Sequence, residues 1–183
     1  MVWRLETKRL LLRVPAVFDI ADMVRLGGDY DVAKNLSRMP HPYSEANARE
    51  WLGTTEEKRI AGTDYAFAIT RKEDGAYLGG IGLHKYRDQG AFEFGYWLGK
   101  PYWRQGYATE AASRLVAFAF LELGLNQLIA GYFHDNPASG NVLRKLGCVP
   151  DGAGERDCLA RGHTVYCHNV LLTADDFWKK KAA

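Results

Sequence analysis

Three strand-like runs follow one another closely: Tyr65 to Arg71, Ala76 to Lys85 and Ala91 to Leu98. Only Glu73-Asp74-Gly75 and Asp88-Gln89-Gly90 stand between them, turn chemistry far too short for a parallel crossover of a dozen or more residues. The spacing therefore predicts an antiparallel meander. Beyond Gly106 a helix is expected from Thr109 to Leu123, with Ala112, Leu115, Val116, Ala119 and Leu123 on its apolar face and Phe118 and Phe120 widening it. Gly124 ends it, and a strand from Gln127 to Phe133, a helix from Pro137 to Leu146 and a strand pair ending near Leu172 follow.

Upstream, Leu10, Leu11, Leu12 and Val14 suggest a strand stopped by Pro15, and a helical pattern runs from about Phe18 to Leu26 before Gly27-Gly28. Pro40 and Pro42 exclude a helix interior around them. Ser44 can then cap a helix to about Ile60, with Asn47 where a capping box prefers Glu or Gln. The order β-α-α-β-β-β-α-β-α-β-β describes a mixed α/β (α+β) domain with a βα crossover region in its middle.

The 183 residues are expected to form one domain, 1–183, and 47% hydrophobic with 25% charged residues excludes a disordered or collagen-like chain. The longest apolar run, Leu115 to Leu121, is far too short for a bilayer, and Arg9 and Arg13 flank Leu10-Leu11-Leu12, so neither a membrane span nor a signal peptide is expected. A net charge of +2 gives no reason to expect nucleic acid as partner. Cys148, Cys158 and Cys167 are odd in number and form no CxxC, which excludes a fully paired disulfide framework and a zinc-site spacing and points to the cytoplasm. Lys179-Lys180-Lys181 reads as a solvated C-terminus.

The most informative stretch runs from Glu93 to Glu110: a strand, a short loop, then a helix start with small residues at Gly106 and Ala108. A helix N-terminus presents unpaired amides and the positive end of its dipole, which suits a phosphate. Arg104 adds positive charge. An ordinary strand-to-helix turn is the plain alternative. There is no GxxxxGK[ST] and no GxGxxG with a downstream acidic residue, so neither a P-loop nor a dinucleotide fingerprint is present.

Trp103-Arg104-Gln105-Gly106-Tyr107-Ala108 resembles the acyl-CoA-binding motif Q/R-x-x-G-x-G/A of the GNAT superfamily of N-acetyltransferases, with Trp103 in place of the usual Gln or Arg. Gly95 to Leu98 and Tyr107 to Ala111 are similar to the branch that holds the ribosomal-protein N-terminal (alanine or serine) acetyltransferases. So are Asn136-Pro137-Ala138-Ser139, Val142 to Cys148, the opening Thr7 to Arg13 and the loop His41 to Ser44. The resemblance spans nearly the whole chain. It implies a GNAT fold, a mixed, mostly antiparallel sheet with a central splayed parallel strand pair and helices on both faces. It also implies acetyl-CoA as co-substrate, no metal, direct attack by an acceptor amine in a ternary complex, and dimers among relatives.

On the same resemblance, pantetheine lies between the strands around Tyr96 to Leu98 and Gln127 to Phe133, and an N–H near Trp97 or Leu98 polarises the thioester carbonyl. Amides of Arg104, Gln105, Gly106, Tyr107, Ala108 and Thr109 hold the pyrophosphate, and Asn136 contacts the cofactor or the incoming substrate. Asn136 before Pro137 is also a sufficient helix cap by itself. Ser139 is the candidate acid for the departing thiolate, because Leu143 stands where many relatives place Tyr. His41 and Tyr43 are candidate acceptor contacts, and Glu155 could face the acceptor. His84 is read as structural or exposed, and Phe92, Phe94, Tyr96 and Trp97 as core.

The attacking amine must be neutral. About a tenth of a free α-amine is neutral at pH 7, against about 0.04% for lysine, so an α-amine needs only a modest base. Glu93, acidic within an aromatic strand, is the candidate. The expected activity is acetylation of a primary amine, foremost a protein N-terminus. A small amine such as an antibiotic or polyamine is the alternative acceptor, and a non-catalytic acyl-CoA sensor is the alternative from another class.

Overall fold

The computed structural model describes residues 3–86 and 91–182. Eight strands form one sheet: β1 (Arg4–Glu6), β2 (Leu10–Arg13), β3 (Asp64–Arg71), β4 (Tyr77–Tyr86), β5 (Ala91–Leu98), β6 (Gln127–Phe133), β7 (Val149–Cys158) and β8 (His163–Thr173). Their spatial order is β1-β2-β3-β4-β5-β6-β8-β7. The meander β3–β4–β5 is antiparallel, and β5 pairs β6 in parallel. The turn at Asp88 to Gly90 lies outside the described residues.

Helices cover both faces. Alternation along β5 sends Phe94 and Leu98 into the larger apolar cluster with α4 (Tyr107–Leu121), α5 (Pro137–Leu146) and α6 (Ala174–Ala182). Ala68 and Trp97 pack on the opposite face against α1 (Ile20–Gly27) and α3 (Glu45–Ile60). Between those helices lies the one-turn α2 (Tyr30–Ala33). The Ser44 cap forms as a box with Asn: the Asn47 N–H donates to Ser44 Oγ at 3.2 Å and the Ser44 N–H to Asn47 Oδ1 at 3.0 Å. Asn supplies the same acceptor oxygen that Glu or Gln would.

The aromatic run of β5 packs into core on both faces, as its alternation implies, with Trp97 on the α1/α3 face and Phe94 on the α4 face. One expectation is corrected. The C-terminus is not only a solvated tail. Lys179, Lys180 and Lys181 are exposed, but they sit on α6, which the Thr173 hydroxyl caps by accepting from the Asp176 N–H at 3.1 Å. Phe177 anchors that helix, 1% exposed, with its ring 5.8 Å from that of Phe120. At the other end, β1 extends the sheet by one short strand beyond the expected first strand. No helix among the described residues is long and apolar enough to cross a membrane.

Candidate active site

The β5–β6 ladder holds at only two registers, Phe92↔Leu128 and Glu93↔Ile129. From Phe94 to Leu98 β5 stays paired with β4 but leaves β6. The opening so formed continues into a cleft of about 1710 Å3 lined from both strands, by Gly95, Tyr96, Trp97 and Leu98 and by Ala130, Gly131 and Tyr132. The Gly99 N–H donates to Leu78 O at 2.8 Å. Backbone groups of alternate residues point to opposite sides of a strand, so Trp97, like Gly99, addresses β4, and Leu98 addresses the vacated β6 side. Of the two amides expected near the thioester, only that of Leu98 is turned to the opening. The Leu98 carbonyl accepts from the Trp103 indole N–H at 2.7 Å. Trp103 thus anchors the following loop to β5, which is what stands in place of a Gln or Arg side chain reaching outward.

That loop turns tightly over Lys100–Tyr102 and enters α4 through two residues with left-handed φ, Arg104 at 59° and Gly106 at 81°. Gly106 is the residue type this conformation favours, and α4 begins there, two residues earlier than expected. Arg104, Gly106, Tyr107, Ala108 and Thr109 line the cleft. Gln105 instead folds its amide back onto Pro101 O at 2.9 Å. Arg9 braces the turn from the neighbouring strand connection: it donates to Gln105 O at 3.0 Å and to Glu110 Oε2 at 2.7 Å, with its guanidinium 4.4 Å from the centre of the Tyr107 ring. Burial works to raise the Glu110 carboxyl, but hydrogen bonds from Thr7 and Arg9 hold it below its usual value. Arg9 had no assigned role in the sequence, because its partners lie about a hundred residues away.

At the other end of the opening stands Glu93, buried at 6% exposure although an exposed strand carboxylate was its plainest alternative. Its Oε2 meets His84 Nε2 at 3.0 Å, and its Oε1 accepts from Arg156, which also donates to Asn169 Oδ1 at 2.9 Å. Burial works to raise the Glu93 carboxyl, and the His84 bond and the Arg156 charge overcome it, so the net direction is down. Arg156 crosses Gly131 to reach Glu93: a Cβ there would lie 3.0 Å from the guanidinium carbon and 2.9 Å from Cys167 Sγ. The registers Asp64↔His84 and His84↔Glu93 align three polar residues across β3, β4 and β5, all on the cleft. Burial pushes the Asp64 carboxyl up. His84, read as structural or exposed, is half-buried beside Glu93. Arg156 and Asn169 were not anticipated either.

Asn136 caps α5, accepting from the Ser139 N–H at 3.2 Å, and it also lines the cleft. The Ser139 hydroxyl is 3.0 Å from the Tyr96 hydroxyl, whose buried phenol is shifted upward by desolvation. Tyr96 therefore joins the cleft while its ring packs on the core. Tyr43 and Glu155 line the cleft. His41 does not join them; it is exposed and its ring lies 5.2 Å from that of Tyr30.

Residues 9–149 match the family described as Acetyltransferase (GNAT) domain. The chain belongs to the GNAT acetyltransferases. Among its relatives is a Bacillus subtilis protein named Uncharacterized N-acetyltransferase YoaA, 33% identical over 179 residues, 91% of this chain and 93% of the relative. Solved structures of the same fold include Mycobacterium smegmatis RimJ in complex with CoA-disulfide, at TM-score 0.80, 19% identity, and 95% and 87% coverage of this chain and that one. They also include the ribosomal-protein-S5-alanine acetyltransferase from Vibrio fischeri, at TM-score 0.80, 18% identity, and 95% and 98% coverage. As a GNAT enzyme the chain is an N-acetyltransferase, and the family uses acetyl-CoA. Its match ends at Val149, ahead of Arg156 and Asn169.

Proposed function

We propose that the whole chain acts as one GNAT domain that acetylates the α-amine of a polypeptide N-terminus, with acetyl-CoA as donor. The observation that carries this reading is the opening between β5 and β6, with a helix N-terminus at one end and the buried carboxylate of Glu93 at the other. The donor supplies an activated acetyl group. The cleft fits it: an edge of β5 free of its neighbour can pair with an extended amide-bearing chain, and Gly106 keeps the turn open where a Cβ would lie 3.3 Å from Arg9. Amides from Arg104 to Thr109 would hold the pyrophosphate, with the Arg104 charge beside them. The Leu98 N–H would stabilise charge on the reacting carbonyl oxygen.

Glu93 provides negative charge that draws in the ammonium, and the modest basicity of an α-amine makes loss of its proton a small task. Tyr43 and Glu155 form part of the acceptor wall. Ser139, whose hydroxyl pairs with that of Tyr96, would return a proton to the leaving sulfur. Two solved structures of the same fold carry names of ribosomal-protein acetyltransferases, one of them an alpha-N-protein acetyltransferase, which supports a polypeptide acceptor.

The test is a screen for release of free CoA thiol, with acetyl-CoA and a panel of peptides with free or blocked N-termini, beside polyamines and aminoglycosides. Release with free N-termini and none with blocked ones is expected. Preference for a small amine would overturn the polypeptide reading, and tight CoA binding without release on any acceptor would favour a sensor.

A further inference from the structure

We propose that His84, on β4, is the group that accepts the acceptor amine's proton, and that Glu93 and Arg156 are positioning residues that hold its ring for the task. This rests on the cleft being the acetyl-transfer site but does not depend on which amine is acetylated.

Glu93 is poorly placed to accept the proton itself. One of its oxygens takes the Arg156 guanidinium and the other faces His84 Nε2, and the side chain is nearly closed off from solvent. A carboxylate held this way is a weak base but a good orienting group. An imidazole that donates Nε2–H to a carboxylate presents Nδ1 as an acceptor, with its tautomer set by that bond. His84 lines the cleft, and its side chain is 25% exposed against 8% for Glu93.

Charged groups of both signs face His84 from neighbouring elements. Asp64 on β3 and Glu93 on β5 flank it along one row of the sheet. Opposing cations are Arg156 from β7, already committed to Glu93 and Asn169, and Lys58 of α3 and Arg38 of the loop after α2, both within the field of Asp64. An imidazolium on His84 would thus lie between two carboxylates. In the step itself one N–H bond of the amine breaks and one N–H bond forms at Nδ1, directly or through a water. The proton passes to solvent once the product leaves, and no redox change occurs.

Arg156 is what makes Glu93 a holder rather than a base. It reaches Glu93 only across Gly131, where a Cβ would touch the guanidinium. Asn169 takes the other guanidinium nitrogen and keeps the fork in place.

The experiment measures kcat and KM against pH for the wild type, His84→Gln and His84→Ala, on whichever acceptor the thiol-release screen yields. A small-amine acceptor would therefore sink the N-terminal reading while leaving this test intact. His84→Gln is expected to lower kcat about 100-fold at pH 7, a usual contribution of a general base, with KM for acetyl-CoA within about twofold. The deficit should shrink as pH rises and the acceptor becomes neutral unaided. Added imidazole should restore His84→Ala. A deficit equal at every pH and untouched by imidazole would assign His84 a structural role, and a wild-type profile in His84→Gln would remove it; either overturns the proposal.

Discussion

The two ends of the cleft are built by different means. The α4 end is made of backbone: a left-handed turn at Arg104 and Gly106, then the free amides of a helix start. The Glu93 end is made of side chains brought together by sheet register, from β3, β4, β5, β7 and β8. A backbone site needs only a short local pattern, in which one glycine matters greatly and its neighbours' side chains matter little. A register site needs nothing local, but it is sensitive to any change that shifts one member against the rest.

The largest expected effect lies at the register end. Glu93→Ala leaves the half-buried Arg156 without its counter-charge, and breaking a buried pair from one side costs up to about 3–5 kcal/mol. Chemical denaturation should show that loss. Gly131→Ala sets a methyl against the Arg156 guanidinium and Cys167, and overpacking of this kind costs about 1–3 kcal/mol. Its kcat should fall by a larger factor than its CoA affinity in calorimetry, which separates the two ends.

The converse substitution is Gly106→Ala. A residue with a Cβ at φ 81° costs about 1–2 kcal/mol, and CoA affinity should drop about tenfold or more in the same calorimetric titration. Gly95→Ala, with nothing within 4 Å of its Cβ position, is the matched control and should leave stability nearly unchanged.

Acid sensitivity sharpens the comparison further. The folded-state carboxyl of Glu93 lies below its ordinary value of 4.5, so its ionised form stabilises the fold. That contribution is complete above the unfolded value and is lost as pH falls through the lower folded one. The stability gap between wild type and Glu93→Gln should thus stay constant from neutral pH to about pH 5 and narrow below it, as urea titrations at several pH values would show. Apart from the Gly95 control, the smallest effect is that of Ser44→Ala, which removes the α3 cap for about 1 kcal/mol in thermal melts with no change in kcat.

The same division explains what could be seen in the sequence. The meander, the presence of α4 and the strand Gln127–Phe133 were legible because turn residues and apolar periodicity are local signals. The phosphate-side residues followed from Gly106 and Ala108 and from a resemblance carried by contiguous motifs. Gln105 was placed with them for its backbone amide, and its side chain turns back to Pro101. His41 lay in a loop whose orientation no periodicity records. Arg156, Asn169 and Arg9 escaped because each matters through partners many residues distant, and His84 because its significance depends on its register with Glu93. The α6 helix did carry a local mark, Thr173 with Asp176 in the pattern of a capping box, which the run of lysines obscured.

The most direct measurement of the two-ended cleft is backbone amide shift mapping, titrating first CoA and then an acceptor peptide. CoA is expected to move the amides of Leu98 and of Arg104 to Thr109, leaving Asp64, His84 and Glu93 for the peptide. A CoA titration that saturates without shifting the amides from Arg104 to Thr109 would contradict the account.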